Sequence, residues 1–315
     1  MRFAKPTLTK VMRLRTVFLT AIVFLLAFNA SVAWSQAAVV GSGLKQPIIR
    51  YDTIHHPVKG RYGMVVSQNS TATIIGQEIL ARGGNAVDAA IGIGFALAVT
   101  LPRAGNLGGS GFMLAHMAEK KKTLAYDYRS VAPSNASVDL FTRVDGELDM
   151  DKLTFGPMAP GVPGTVAGMY MAWQQLGSMS WQDILQPAYM LADEGFFVGH
   201  DLAHVLNMAS KVIHHYSPGS AYIKQDGEPW VAGNKLVQKD LAWSIAQIME
   251  HGAAAFYEGE LAQRIVDAFE KTGGIMSRED LAAYRVRERE PVSTAYRGKQ
   301  VIAMPPVSGG GITLI

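Results

Sequence analysis

Between Asn85 and Pro102 runs a segment that leaves few folds open. Ala86–Val99 has helical composition, and apart from Asp88 it carries no polar side chain. A helix without a polar face has to be covered on every side. The segment therefore predicts a core helix wrapped by other layers. Its start is marked as well. Gly83-Gly84 is a stop signal for a preceding helix over Thr71–Arg82. Asn85 can cap the next helix, with Asp88 in the first turn, where the helix dipole favours a carboxylate.

The rest of the pattern supplies the covering layers. Gly63–Ser67 reads as a short buried strand. Gly105–Gly111 is a tight glycine loop, followed by two strands, Phe112–Met117 and Thr123–Tyr128, paired across the polar turn Ala118–Lys122. Pro133–Asp151 is rich in turn residues, and Pro160–Gly168 is a second glycine-proline loop entering a helix. Helices are expected at about Thr165–Gln175, Trp181–Glu194, Asp201–Ile213, Lys239–Glu250 and Glu260–Thr272, then strands at Pro291–Tyr296 and Gln300–Ala303. This alternation is a mixed α/β (α+β) arrangement in one domain.

The N-terminus reads differently. Arg2, Lys5, Lys10, Arg13 and Arg15 precede the apolar run Val17–Phe28, broken only by Thr20, and the small residues Ser31, Ala33, Ser35 and Ala37 follow. That is the three-part pattern of a secretory signal over 1–33, with cleavage as late as 37 also allowed. The competing reading is an uncleaved anchor over Thr16–Trp34. A lead-in over 34–59 and a main body over 60–315 follow, which places the protein in the periplasm or outside the cell. Without the leader the charge becomes 24 basic residues against 26 acidic, so no basic surface for nucleic acid is expected. The absence of cysteine excludes disulfide frameworks, thiolate metal sites and a cysteine nucleophile.

Few local patterns carry chemistry by themselves. Gly105–Gly111 lacks the Lys-Ser/Thr of a phosphate loop and the spacing of a dinucleotide fingerprint. It reads either as a turn with no room for a Cβ or as a loop shaping a ligand pocket. His200 and His204 are four apart but lack a third ligand at matching spacing, and the neighbours His55–His56 and His214–His215 point apart. No G-x-S-x-G elbow is present. Arg129, in Tyr126-Asp127-Tyr128-Arg129, stands where a strand leaves its sheet near the glycine loop. Its guanidinium can form a surface ion pair, with Asp127 as partner, or grip a carboxylate through two parallel hydrogen bonds.

Several runs taken in order resemble the gamma-glutamyltransferase family. They are Gly83–Ala90, Ala104–Phe112, Tyr126–Pro133 (similar to a D-[FY]-R-x-x-A-P segment), Gly161–Gly168, Gln186–Ala188, Ala192–Phe196, Gly273–Ser277 with Asp280–Tyr284, Tyr296–Gly298, and Met304–Pro306 with Ser308–Gly311. The resemblance covers about residues 60–315. It implies an N-terminal-nucleophile hydrolase with an αββα sandwich, made as a proenzyme that cuts itself into large and small subunits. The new N-terminal threonine serves as nucleophile and, through its α-amine, as its own base. It attacks the γ-glutamyl amide of glutathione, and the glutamyl group then passes to water, an amino acid or a dipeptide. The resemblance assigns Arg129 to the α-carboxylate of that glutamyl group. Ser130 stands where the family often carries an acid. The Thr-Thr/Ser-His processing motif is absent, so 60–315 resembles an incomplete large subunit, with the nucleophilic threonine expected beyond Ile315. The partner so implied is the chain's own small subunit, and no metal or organic cofactor is implied. A cephalosporin-acylase-like amidase and a non-catalytic exported binding protein are the competing readings.

Overall fold

The computed structural model describes residues 58–315; the basic leader, His55–His56 and nearly all of the lead-in lie outside the described residues. Helix α1 (Ser70–Ala81) begins at Asn69, whose side chain accepts a hydrogen bond from the Ala72 N–H. Helix α2 (Ala86–Thr100) begins with a reciprocal cap. The Asn85 side chain accepts from Val87 and Asp88, and the Asp88 carboxylate accepts from the Asn85 N–H. Helix α2 packs between α1, α3 (Thr165–Leu176) and α4 (Trp181–Glu194). Phe95, Ala96 and Val99 are fully enclosed. The expected enclosure on every side is not reached. Ala90 is exposed, and Ile93 and Leu97 on the same stripe are half-buried. A cleft of about 340 Å³ runs between Ala86–Ala90 and Met113–Lys120.

The other long helices are α5 (His200–Tyr216), α6 (Lys239–His251) and α7 (Glu260–Thr272). An aromatic cluster centres the packing. Trp181 lies edge-on to Phe95 at 5.7 Å and to Tyr170 at 5.1 Å, and its indole N–H donates to the Ile248 carbonyl at 2.9 Å. A buried indole with its donor engaged adds area without leaving a polar group stranded.

Strands β1 (Gly111–Met117) and β2 (Lys122–Tyr128) form an antiparallel hairpin with Gly111 opposite Tyr128. Two short strands, β3 (Phe196–Phe197) and β4 (Lys235–Leu236), pair with each other. Strand β5 (Arg287–Arg289) adds to the other edge of β2, with Asp127 opposite Arg287 and Ala125 opposite Arg289. The expected C-terminal strands form as β6 (Val292–Tyr296) and β7 (Lys299–Ala303). They turn through Arg297 and Gly298, both at positive φ, the geometry that two-residue hairpin turns need. This hairpin is a separate two-stranded sheet.

One expected strand is absent. Gly63–Ser67 has no ladder partner among the described residues, and Met64 and Val66 are 55% and 83% exposed. Its apolar composition favours extended backbone, but a strand also needs a neighbour's N–H and C=O groups. An unexpected helix, α8 (Arg278–Ala283), starts from a reciprocal cap between Ser277 and Asp280. Among the described residues, no helix is long and apolar enough to cross a membrane.

Candidate functional site

Arg129 emerges one residue beyond the end of β2, and its side chain is exposed. Its main chain is held from two directions. The N–H donates to Asp127 Oδ1 at 3.1 Å. The carbonyl accepts from the Tyr284 hydroxyl at 3.0 Å. The guanidinium extends toward the glycine loop, where Nη1 lies 3.3 Å from the Ser110 hydroxyl oxygen.

The two loops singled out by composition meet beneath this residue. The Gly109 carbonyl accepts from the N–H groups of Gly164 and Thr165 at 2.9 and 3.1 Å. Val131 and Val162 exchange backbone hydrogen bonds in an isolated bridge. A Cβ on Gly164 would collide with the Tyr128 carbonyl and the Tyr284 hydroxyl, and one on Gly168 with the Tyr128 ring. Only glycine permits so close an approach of the second loop to the exit of β2.

Asp127 bears on both readings of Arg129. Its side chain is buried, and Oδ2 accepts from Arg289 Nε at 3.1 Å and Nη2 at 3.0 Å. Asp127 is therefore paired with Arg289 rather than with the Arg129 side chain, and among the described residues Arg129 has no acidic partner at ion-pair distance. The expected Asp127–Arg129 surface pair is not formed, because β5 delivers a second arginine to the same carboxylate.

Three phenols brace the corner. Tyr128 donates to the Phe112 carbonyl at 3.2 Å and Tyr257 to the Pro163 carbonyl at 2.9 Å. The Tyr257 and Tyr284 rings stack at 5.6 Å. Burial pushes the Tyr128 phenol up to about 12. Burial, and then the negative charge of Asp127, push Tyr284 up as well. Both stay protonated donors at neutral pH. Asp280 ties down the chain just beyond, accepting from the Ser134 N–H at 2.8 Å and from Ser277. Burial works against its charge, and the hydrogen bonds from Ser134 and Ser277 outweigh that, leaving its carboxyl below the usual range.

Ser110, Asp127, Tyr284, Asp280 and Arg289 thus join Arg129 in one corner. The S-x-x-D spacing of Ser277 and Asp280 is a visible cap signal. Nothing local announces that Tyr284 and Arg289 reach residues 155 and 162 positions away. The histidines do not join the corner: His200 and His204 lie in the first turns of α5, and His214–His215 in its last. Among the described residues, no three His, Asp or Glu side chains gather as a metal site. A cavity of about 560 Å³ lies elsewhere, lined by Phe155, Val212, Tyr216 and Phe269, and includes no residue of this corner.

The gamma-glutamyltranspeptidase family matches residues 72–315. The chain is 42% identical over 312 residues to the glutathione hydrolase proenzyme of Escherichia coli (strain K12), covering 99% of this chain and 52% of that protein. The chain spans about half the length of the curated relatives it matches. The fold is shared with Helicobacter pylori gamma-glutamyltranspeptidase at a TM-score of 0.79 and 40% identity, over 82% of this chain and 74% of that one. A cephalosporin acylase from Bacillus halodurans is less similar, at a TM-score of 0.64 and 27% identity, over 82% of this chain and 50% of that one. The small sheets described above are accordingly part of an N-terminal-nucleophile hydrolase sandwich. With its family motifs in order and its loops packed on one strand exit, the chain belongs to the gamma-glutamyltranspeptidase family.

Proposed function

We propose that this chain is the large-subunit part of an exported enzyme that transfers or hydrolyses the γ-glutamyl group of glutathione and related amides. In this reading residues 60–315 form the large-subunit domain, and Arg129 binds the α-carboxylate of the glutamyl group. The observation that carries the assignment is the state of its guanidinium. It is exposed and without an acidic partner among the described residues, while its backbone is fixed by Asp127 and Tyr284. A planar fork on a rigid base can orient a carboxylate through two parallel hydrogen bonds. The substrate offers one such carboxylate, at the far end of the glutamyl chain from the scissile amide. Anchoring that end fixes where the amide carbon lies.

In this reading the bond-making group is a threonine of the small subunit. No threonine in this chain is followed by Thr or Ser and then His. The threonine hydroxyl adds to the amide carbon, its proton passes through the α-amine to the leaving nitrogen, and a γ-glutamyl ester forms. Water or an acceptor amine then takes the glutamyl group. The leader pattern over 1–33 supports export, and exported protein is expected to begin at Trp34 or Ala38 on N-terminal sequencing.

In the processed enzyme, Arg129→Ala is expected to weaken γ-glutamyl substrates by about 1.5–3 kcal/mol, the range for a hydrogen bond to a charged group. Arg129→Lys should recover little of this, since an ammonium is not a fork. KM values for a chromogenic γ-glutamyl anilide that match the unsubstituted enzyme in both variants would remove Arg129 from the site.

A further inference from the structure

Asp127 is the acid nearest to Arg129 in sequence, and its position is awkward for a carboxylate-binding arginine. Residues two apart on a strand lie on the same face, about 6.6 Å from each other. The Asp127 carboxylate already turns toward Arg129, since Oδ1 accepts that residue's N–H. A buried carboxylate without a cation is costly and attracts any guanidinium in reach. Left alone, Asp127 would occupy the fork that a substrate carboxylate needs.

The β2–β5 pairing prevents this. The register sets Arg289 opposite Ala125 and Arg287 opposite Asp127, so both arginines share the face of Asp127, with Arg289 on the diagonal. Arg289 closes a two-nitrogen contact on Oδ2, the oxygen that does not face the Arg129 N–H. Arg287 is exposed and makes no ion pair among the described residues. The positive charge of Arg289 thus answers Asp127, and the positive charge of Arg129 stays available.

We propose that Arg289 is a positioning residue for substrate binding: by neutralising Asp127 it keeps that carboxylate from capturing the Arg129 guanidinium. The inference rests on Arg129 being the carboxylate-binding group. It assigns Asp127 no attraction for substrate, and Arg289 no contact with it.

The test uses the processed full-length enzyme, a γ-glutamyl anilide for KM and kcat, and free L-glutamate as a competitive inhibitor. Because Arg287 can replace Arg289, the first variant is Arg287→Gln/Arg289→Gln. Its KM and the inhibition constant of L-glutamate should rise by about tenfold or more, with kcat within about threefold, the signature of a binding loss. Adding Asp127→Asn removes the competing charge and should restore both constants to within about threefold of the unsubstituted enzyme. A purely structural role for Arg289 predicts no such recovery. An unchanged KM in the double variant, or a triple variant as impaired as the double, would overturn the proposal. Should the double variant not fold, Arg289→Lys decides: it keeps a positive charge beside Asp127, so a KM within about threefold of the unsubstituted enzyme supports the proposal, and a rise of about tenfold refutes it. Arg129→Ala run in parallel separates the two claims. A normal KM there defeats the Arg129 assignment itself, whereas a raised KM beside a normal Arg287→Gln/Arg289→Gln enzyme defeats only this inference.

Discussion

Asp88 and Asp127 are both buried carboxylates at the end of a regular element, and each lies in a run that resembles the same family, yet their partners differ in kind. Asp88 accepts only from neutral donors: the Asn85 N–H at 2.9 Å, the Ser178 N–H at 3.1 Å and the Ser178 hydroxyl at 2.5 Å. It closes the start of α2, and Asn85 reaches on to the Leu176 carbonyl at the end of α3. Nothing is left over there. At Asp127 the partner is a second arginine brought by β5, and the surplus is an exposed guanidinium on a fixed backbone. Composition does not tell two such corners apart. What separates them is whether a charge remains unanswered after every local partner is counted.

The largest effect that sharpens this contrast is expected at the scaffold corner. Asp88→Ala strands the Asn85 and Ser178 donors and removes the cap, so it should cost about 3 kcal/mol of stability. Urea denaturation followed by tryptophan fluorescence would measure it, and KM of the molecules that remain folded should not move. A shifted KM with intact stability would reverse the roles assigned to the two corners.

Tyr284→Phe comes next. It deletes the hydroxyl that donates to the Arg129 carbonyl. The expected stability loss is about 0.5–1.5 kcal/mol, one ordinary hydrogen bond. A rise in KM of a few-fold should accompany it, because the backbone under the guanidinium loosens. A stability loss with no kinetic effect would mean that the brace is structural alone.

The smallest effect is a pH dependence. The Asp280 carboxyl lies below its ordinary value of about 4, because hydrogen bonds from Ser134 and Ser277 outweigh the burial that opposes its charge. A depressed folded value means that the contribution is complete above the ordinary value and is lost as pH falls through the lower, folded one. Asp280→Asn should therefore narrow the stability gap between pH 7 and pH 3. Denaturation midpoints at those two pH values check it, and an equally wide gap in both proteins would contradict the assignment.

What could be read in the sequence was local. The ends of Trp181–Glu194 and Glu260–Thr272 coincide with those expected; Ser180 caps the start of the first, and Gly195 and Gly273, both at positive φ, follow the two ends. The cap at Asn85 and Asp88 was legible as well. Gly63–Ser67 was misread because strand composition does not reveal whether a partner strand is present. His200–Tyr216 runs three residues past the expected Ile213, through His214 and His215, which have no strong stop among them. Arg129 stood out from its place at a strand exit near the glycine loop, and the family resemblance was what selected the carboxylate-binding reading over a surface ion pair. The supports of Arg129 were not legible, since Tyr284 and Arg289 arrive through tertiary pairing from distant segments.

The most direct test of the account compares two substrates on two enzymes. One is a γ-glutamyl anilide; the other is the 4-aminobutyryl anilide, which keeps the amine and lacks the α-carboxylate. If the guanidinium of Arg129 grips that carboxylate, the unsubstituted enzyme prefers the glutamyl compound in kcat/KM by about tenfold or more, and Arg129→Ala loses most of that preference. A preference equally strong in both enzymes would contradict the account, because the carboxylate would then be recognised by some group other than Arg129.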